Sequence, residues 1–298
     1  MSTTLLWKVG LRLDLVVGSK GFIGAHYISF ANAVHQKSFE IPTSQALSRF
    51  LADDFDIDLA RVSTILWMAG KSGPSNTTSK FDLCYRQDKE NLQDFLNFLM
   101  NKKWRGRFVF LSSGGCVYKE SVNPISESYT LQPNNAYGKL KLEQEHLILD
   151  SGINYSILRV SNVFGLRTHI TYGQDVISNW LSRYRNNEVC DVFGSLDSFR
   201  DYINIEDVIS AISITSRFQG QNHIINIGSA IPVRTKDLVE FFTTHTHGRI
   251  NFKFESARNF DRSGYLLDYS QAQLILGWTP MRSKKADLEN FIITQLKA

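Results

Sequence analysis

Two residues set four apart carry the chemistry open to this chain. Tyr137 and Lys141 stand in the stretch Tyr137-Gly138-Lys139-Leu140-Lys141. On a helix that spacing places both side chains on one face. A free phenol has a pKa of about 10 and is a poor base at neutral pH. A nearby ammonium favours the phenolate, so the pair suits removal of a proton from a hydroxyl. A further hydroxyl is offered by Ser112-Ser113, which follow the apolar run Phe108-Val109-Phe110-Leu111. That is the C-terminal end of a core strand, where open parallel sheets bind ligands. Tyr-x-x-x-Lys is also common on amphipathic helices, so the pair gains meaning only from its surroundings.

The second chemical signal is a turn. The apolar run Leu13-Asp14-Leu15-Val16-Val17 ends at Gly18, and Gly21 and Gly24 follow at a spacing of three. Gly18 allows a sharp turn, Gly21 lets the backbone approach a pyrophosphate, and Gly24 lets a helix pack closely on its strand. Phe22 and Ile23 open that helix, whose N-terminus offers free N–H groups and a positive dipole end to an anion. Taken alone the pattern is weak, because glycines at a strand–helix turn are often purely structural.

Strands and helices alternate around these signals. Strands are expected at Lys37–Ile41, Val62–Met68, Phe108–Leu111 and Tyr155–Val160. Helices are expected at Phe22–Val34, from Thr43 or Ser44 to Leu51, at Leu83–Met100 and at Asn135–Leu149. This order implies a Rossmann-type, doubly wound parallel sheet with helices on both faces. Beyond Val163 the pattern loosens into a helix at Val176–Tyr184, a strand near Asp201–Ile205, a helix at Glu206–Ser216, a strand at His223–Ile227 and a helix at Pro232–Phe242. The expected division is a dinucleotide-binding domain over residues 1–162, with residues 200–228 returning to it, and a smaller α/β substrate lobe over 163–298.

Composition narrows the function. The 298 residues carry a net charge of only +4 with no Lys/Arg block, so nucleic acid is not suggested. No run is long enough to span a membrane. Cys84, Cys116 and Cys190 are odd in number and widely spaced. They form neither a disulfide framework nor a metal cluster, so no metal is expected and the compartment is a reducing, cytoplasmic one.

Together these features resemble the extended short-chain dehydrogenase/reductases, the NAD-dependent epimerase/dehydratase group acting on nucleotide sugars. The resemblance runs over nearly the whole chain. It rests on the glycine turn, Ile65-Leu66-Trp67-Met68-Ala69-Gly70, Ser112-Ser113-Gly114-Gly115-Cys116-Val117-Tyr118, the Tyr137/Lys141 pair and Arg159-Val160-Ser161-Asn162-Val163-Phe164-Gly165. Further matches are Arg200-Asp201-Tyr202-Ile203-Asn204-Ile205-Glu206-Asp207-Val208, Asn226-Ile227-Gly228-Ser229 and Leu276-Gly277-Trp278-Thr279-Pro280. The resemblance implies catalysis by Ser113, Tyr137 and Lys141. It implies a cofactor site from Gly18, Lys20, Gly21, Phe22, Ile23, Gly24, Ala69, Lys71, Tyr137 and Lys141. It also implies a homodimer and a nucleoside-diphosphate sugar held by Ser113, Asn162, Arg200, Arg258 and Asp261. Two guanidiniums suit a diphosphate, since each offers a planar fork of donors.

Three departures qualify the match. Gly114 occupies the position where many members carry the catalytic Ser or Thr, which moves the expectation to Ser113, with Ser112 and Cys116 as rivals. Trp67 stands where a His is usual. The region from Gly24 to Trp67 has room for one strand and one helix where two strand units are usual, and its acidic ribose ligand is not obvious. Glu40 is the nearest candidate; Asp56 and Asp58 lie further on. Lys20 is a basic residue in the place where some relatives meet the 2′-phosphate of NADP, so the cofactor is NAD or NADP. The expected activity is NAD(P)-dependent 4-epimerisation of a nucleotide sugar. An NADPH-dependent 4-ketoreductase is the alternative, and a non-catalytic dinucleotide-binding relative a lesser one.

Overall fold

The structure, a computed structural model, describes residues 13–41, 44–51, 58–73, 78–166, 175–258 and 261–297. Strand β1 (Leu13–Val17) runs into helix α1 (Phe22–Ala33) and β2 (Lys37–Ile41) into α2 (Ser44–Leu51). Strand β3 (Val62–Trp67) leads to α3 (Thr78–Asn101), and β4 (Arg107–Ser113) to the single turn α4 (Gly114–Val117). Next come β5 (Pro124–Ile125), α5 (Ala136–Asp150), β6 (Asn154–Val160), β7 (Asn162–Phe164) and α6 (Val176–Arg185). They are followed by β8 (Cys190–Phe193), β9 (Phe199–Asn204), α7 (Ile205–Ser216), β10 (His223–Ile227), β11 (Pro232–Arg234) and α8 (Thr235–His245). The chain closes with β12 (Phe252–Glu255), β13 (Leu266–Leu267), α9 (Ser270–Leu276) and α10 (Lys285–Lys297).

Six strands pair in the order β10-β6-β4-β3-β1-β2, and every pairing is parallel. The chain starts inside the sheet at β1, steps out to β2, then returns across β1 to β3. That reversal opens a crevice at the strands' C-terminal ends, where ligands bind in such sheets. Both faces are covered, so strand side chains alternate between two apolar cores. Leu15, Val17, Ile65, Trp67, Phe108 and Phe110 pack on α3 through Leu92, Phe95, Leu96 and Leu99. Val16, Leu66 and Val109 pack on α7 through Val208, Ile209 and Ile212. A third core gathers Phe164, Trp180, Val192, Phe242 and Leu288 from the later elements. The doubly wound sheet expected from the sequence is therefore the one observed.

The later elements depart from expectation. Residues Pro232–Arg234 are not helical: they pair antiparallel with β9. The helix begins only at Thr235, because the Asp237 carboxylate accepts the Arg234 N–H at 2.8 Å and fixes the start there. The β8–β12 pair and helix α10 had no sequence expectation at all. Thr43 and Asp56 lie outside the described residues. Among the described residues, no helix is long and apolar enough to cross a membrane.

Candidate active site

The glycine turn after β1 has the geometry its residues predict. Gly18 has φ +92°, and a Cβ there would lie 2.7 Å from the Ala69 backbone nitrogen. A Cβ at Gly24 would lie 2.2 Å from the Gly18 carbonyl oxygen, so neither position admits a side chain. Gly21 caps α1 without a side-chain hydrogen bond, leaving the first-turn N–H groups free for an anion. Ser19 is buried, and its hydroxyl has no partner. An unsatisfied buried hydroxyl is costly, and a phosphate oxygen is the acceptor this turn is built to receive. The residues present fit a dinucleotide. Lys20 is exposed in the turn. Glu40 is also exposed, one residue before the end of β2 and in register with Val16.

The end of β3 forms the next wall. Asp88 of α3 is buried and accepts the N–H groups of Lys71 and Ser72 at 2.9 and 2.8 Å, which pins the loop after Ala69. The Lys71 ammonium turns outward and donates to the Gln87 side-chain carbonyl at 3.0 Å.

Helix α5 carries the reactive pair. Asn135 caps it by accepting the Gly138 N–H at 2.7 Å. A Cβ at Gly138 would stand 2.3 Å from the Cys116 carbonyl oxygen, so this glycine lets α5 close onto α4. Lys141 is buried; its ammonium donates to the Leu111 carbonyl at 3.0 Å and stands 5.8 Å from the centre of the Tyr137 ring. Burial pushes the Lys141 pKa down to about 8, against the opposing pull of Asp88 and Glu145. Burial also raises the Tyr137 phenol above its usual value, with further upward contributions from Cys116 and Asp88. In the chain alone desolvation is the largest of these influences on the phenol.

The two serines separate by strand alternation. Ser112 is buried and donates to the Glu145 carboxylate at 2.5 Å. Glu145 pairs with Arg159 at 2.6 Å, Arg159 donates to the Tyr118 hydroxyl at 2.8 Å, and that hydroxyl donates to the Asn226 side-chain oxygen at 2.7 Å. Three of the sequence motifs therefore meet, through Glu145 of α5, in one buried network beneath the site. Ser113 ends β4, half-buried, and its side chain makes no capping hydrogen bond to α4.

A 480 Å³ cavity opens beyond the N-terminus of α5. Asn162, Arg200, Arg258 and Asp261 all line it, together with Cys116 and Tyr265. Ser113, Tyr137 and Lys141 are not in its wall, which reaches the start of α5 through Cys116 and Asn135. Arg258 lies over the Phe193 ring at 4.2 Å and donates to Asp261 at 2.7 Å. Burial raises the Asp261 pKa, but the hydrogen bonds from Arg258 outweigh it and the carboxyl ends below its usual range. Arg200 donates to the Phe199 carbonyl at 2.8 Å. The ion pairs that could have made Arg200 structural are absent, because Asp201 and Asp207 are taken by backbone N–H and hydroxyl groups. Arg262, which also lines the cavity, carries no motif that would single it out in the sequence. Among the described residues no cluster could hold a metal ion. A second cleft, of 670 Å³, lies at the opposite end of the sheet, by the N-terminal ends of β3, β4 and β6. Its buried cation, Arg107, is already bonded to the carbonyls of Tyr155, Phe218 and Gly220.

Residues 15–228 match the NAD dependent epimerase/dehydratase family. The dTDP-4-dehydro-6-deoxyglucose reductase of Escherichia coli is 31% identical over 225 residues, covering 74% of this chain and 70% of the relative. The UDP-glucose 4-epimerase of Lactobacillus helveticus is 24% identical over 325 residues, covering 95% of this chain and 96% of the relative. Among solved structures, the UDP-glucose 4-epimerase of Thermus thermophilus in complex with NAD superposes with a TM-score of 0.81 at 17% identity, over 96% of this chain and 98% of that one.

Proposed function

This chain belongs to the NAD dependent epimerase/dehydratase family, and from that premise we propose that it is an NAD-dependent enzyme epimerising a nucleoside-diphosphate sugar at carbon 4. The observation that carries the reading is the convergence of Asn162, Arg200, Arg258 and Asp261 on one cavity beside the start of the helix bearing Tyr137 and Lys141. Residues 1–162, with 200–228 returning, hold the dinucleotide through the Gly18–Gly24 turn and Ala69; residues 163–298 hold the sugar nucleotide. Arg200 and Arg258 bind the diphosphate, Asn162 assists, and Asp261 both orients Arg258 and faces the ribose. Tyr137 takes the proton of the sugar hydroxyl and later returns it. Lys141 lies close enough to stabilise the phenolate, and Ser113 polarises the sugar oxygen. A nicotinamide dinucleotide held by the Gly18–Gly24 turn and Ala69 would supply the hydride chemistry at carbon 4. The three cysteines are free, which fits a reducing, cytoplasmic setting. The homodimer rests on the resemblance alone, and light scattering reads it out.

A second reading, a 4-ketoreductase, is favoured by the identity with the Escherichia coli reductase and by Lys20. Incubating pure protein with UDP- and dTDP-hexoses separates the two. An epimerase converts the sugar with no net change in nicotinamide absorbance, whereas a reductase acts only on the 4-keto sugar and consumes one reduced dinucleotide per product. No turnover of any substrate supports the non-catalytic alternative. Tyr137→Phe is expected to lower turnover by roughly 10²-fold or more while dinucleotide binding persists, because it removes the positioned acid/base. Activity within a few-fold of wild type rejects the assignment of Tyr137.

A further inference from the structure

Arg262 is 95% withdrawn from water, being 5% exposed. Its Nε donates to the Asn134 side-chain oxygen and its Nη2 to the Cys116 carbonyl, both at 3.2 Å. Its Nη1 is buried and has no partner, and the guanidinium forms no ion pair among the described residues. The nearest acid in sequence terms, Asp261, is taken by Arg258, and the Glu120 carboxylate accepts the Ser263 hydroxyl at 2.7 Å. Tyr265, 2% exposed, lines the same cavity, and its hydroxyl also has no partner. Two residues of one cavity wall therefore each keep a buried polar atom with its bonding unfinished.

Their place in the cavity says what finishes it. Cys116 and Asn134 flank the start of α5, so Arg262 sits at the end nearest Tyr137. Arg258 is held at Phe193 and Asp261, and Arg200 is the remaining guanidinium of the wall. Those two serve the diphosphate, which leaves Arg262 for the sugar. Sugar hydroxyls would satisfy Nη1 as a donor but would leave the charge uncompensated in a dry setting, which is the more costly deficit. A carboxylate satisfies both, and the planar fork suits it.

We propose that Arg262, assisted by the Tyr265 hydroxyl, binds a carboxylate on the sugar, so that the substrate is a nucleoside-diphosphate uronic acid. The inference rests on the nucleotide-sugar reading of this cavity. Arg262 is a specificity-determining residue here and takes no part in proton transfer.

Calorimetry on the full chain tests it, using UDP, dTDP, and the glucose and glucuronic acid conjugates of whichever nucleotide binds. Wild type is expected to bind the glucuronic acid conjugate about 10-fold or more tightly than the glucose conjugate, the scale of a charge-assisted bond. Arg262→Met is expected to bring the two within about 2-fold while leaving the bare nucleotide unchanged, and Arg262→Lys to keep part of the preference, since it keeps charge without the fork. Equal wild-type affinity for the two conjugates overturns the proposal even if no variant folds. So does an Arg262→Met loss as large for the bare nucleotide, which would make Arg262 a diphosphate ligand. Absence of binding by either nucleotide overturns a uridine or thymidine diphosphate-sugar reading of the cavity, an outcome distinct from the other two.

Discussion

Arg159 and Arg262 are both withdrawn from water, 2% and 5% exposed, yet they meet that burial in opposite ways. Arg159 has every guanidinium nitrogen bonded: Nε and Nη2 to the Glu145 carboxylate, Nη1 to the Tyr118 hydroxyl. Burial alone would lower its pKa, but the bonds and charge of Glu145 outweigh it and hold the guanidinium above its usual value. Arg262 has two neutral acceptors, one empty nitrogen and no carboxylate, and burial leaves its pKa lowered. A saturated buried charge belongs to the scaffold, and a buried charge left in deficit marks where a ligand must complete the protein. Asp201 falls on the scaffold side: it is fully buried and accepts N–H groups from Ser229, Ala230 and Leu267 plus the Ser229 hydroxyl.

The sharpest way to break this contrast is to make the same change at both arginines. Arg159→Met strands the Glu145 carboxylate in the core and is expected to cost about 3–5 kcal/mol in urea unfolding. Adding Glu145→Leu should recover most of that loss, because an apolar pair of similar volume often replaces a buried ion pair at little cost. Arg262→Met gives up two bonds to neutral acceptors but also relieves an uncompensated charge, so its stability should stay within about 1 kcal/mol of wild type. Equal losses at the two sites would mean that Arg262 is scaffold too.

The serine pair applies the same distinction to one strand end. Ser112 donates to Glu145, so Ser112→Ala removes a charge-assisted bond and is expected to cost about 1.5–3 kcal/mol of stability, with turnover kept within a few-fold. Ser113 has no such tie. Ser113→Ala should leave the unfolding midpoint nearly unmoved and lower turnover instead. Steady-state kinetics and urea melts on both variants check this; a loss of turnover at Ser112 with none at Ser113 would reverse their roles.

Much of the fold and of the site is legible in the sequence, because the legible part is local. The glycine turn is set by three residues whose missing side chains have nowhere to go. The Tyr137/Lys141 pairing follows from helical spacing, and the sheet follows from short apolar runs separated by helices. What escapes depends on contacts between distant segments. Ser112 and Ser113 cannot be told apart by local pattern because Glu145, 33 residues away, makes the distinction. Pro232–Arg234 continues an apparently helical stretch, and only pairing with β9 and the Asp237 cap makes it a strand. Arg262 has no local pattern to mark it, and its buried contacts are with Cys116 and Asn134, which lie far back in the chain.

Lys20 completes the series as a cation that is neither buried nor paired in the core, and the smallest effect is expected there. It is exposed in the glycine turn, where an ion pair is worth ~0–1 kcal/mol at most. Glu40, one residue before the end of β2 and about twenty residues past the turn, is the acid nearest the place where a carboxylate would accept the ribose 2′-hydroxyl of NAD. The same carboxylate would repel a 2′-phosphate. Cofactor choice should therefore follow Glu40 rather than Lys20. Lys20→Ala is expected to change NADH and NADPH affinity by less than about 2-fold each, whereas Glu40→Gln should weaken NADH and narrow its advantage over NADPH. Competitive titration of dinucleotide-free protein with both reduced forms measures all four quantities. A wild-type preference for NADPH that Lys20→Ala erases would overturn the assignment. It would also shift the balance toward the reductase, since a reductase must exchange its cofactor at every turnover and an epimerase must keep it through both hydride transfers.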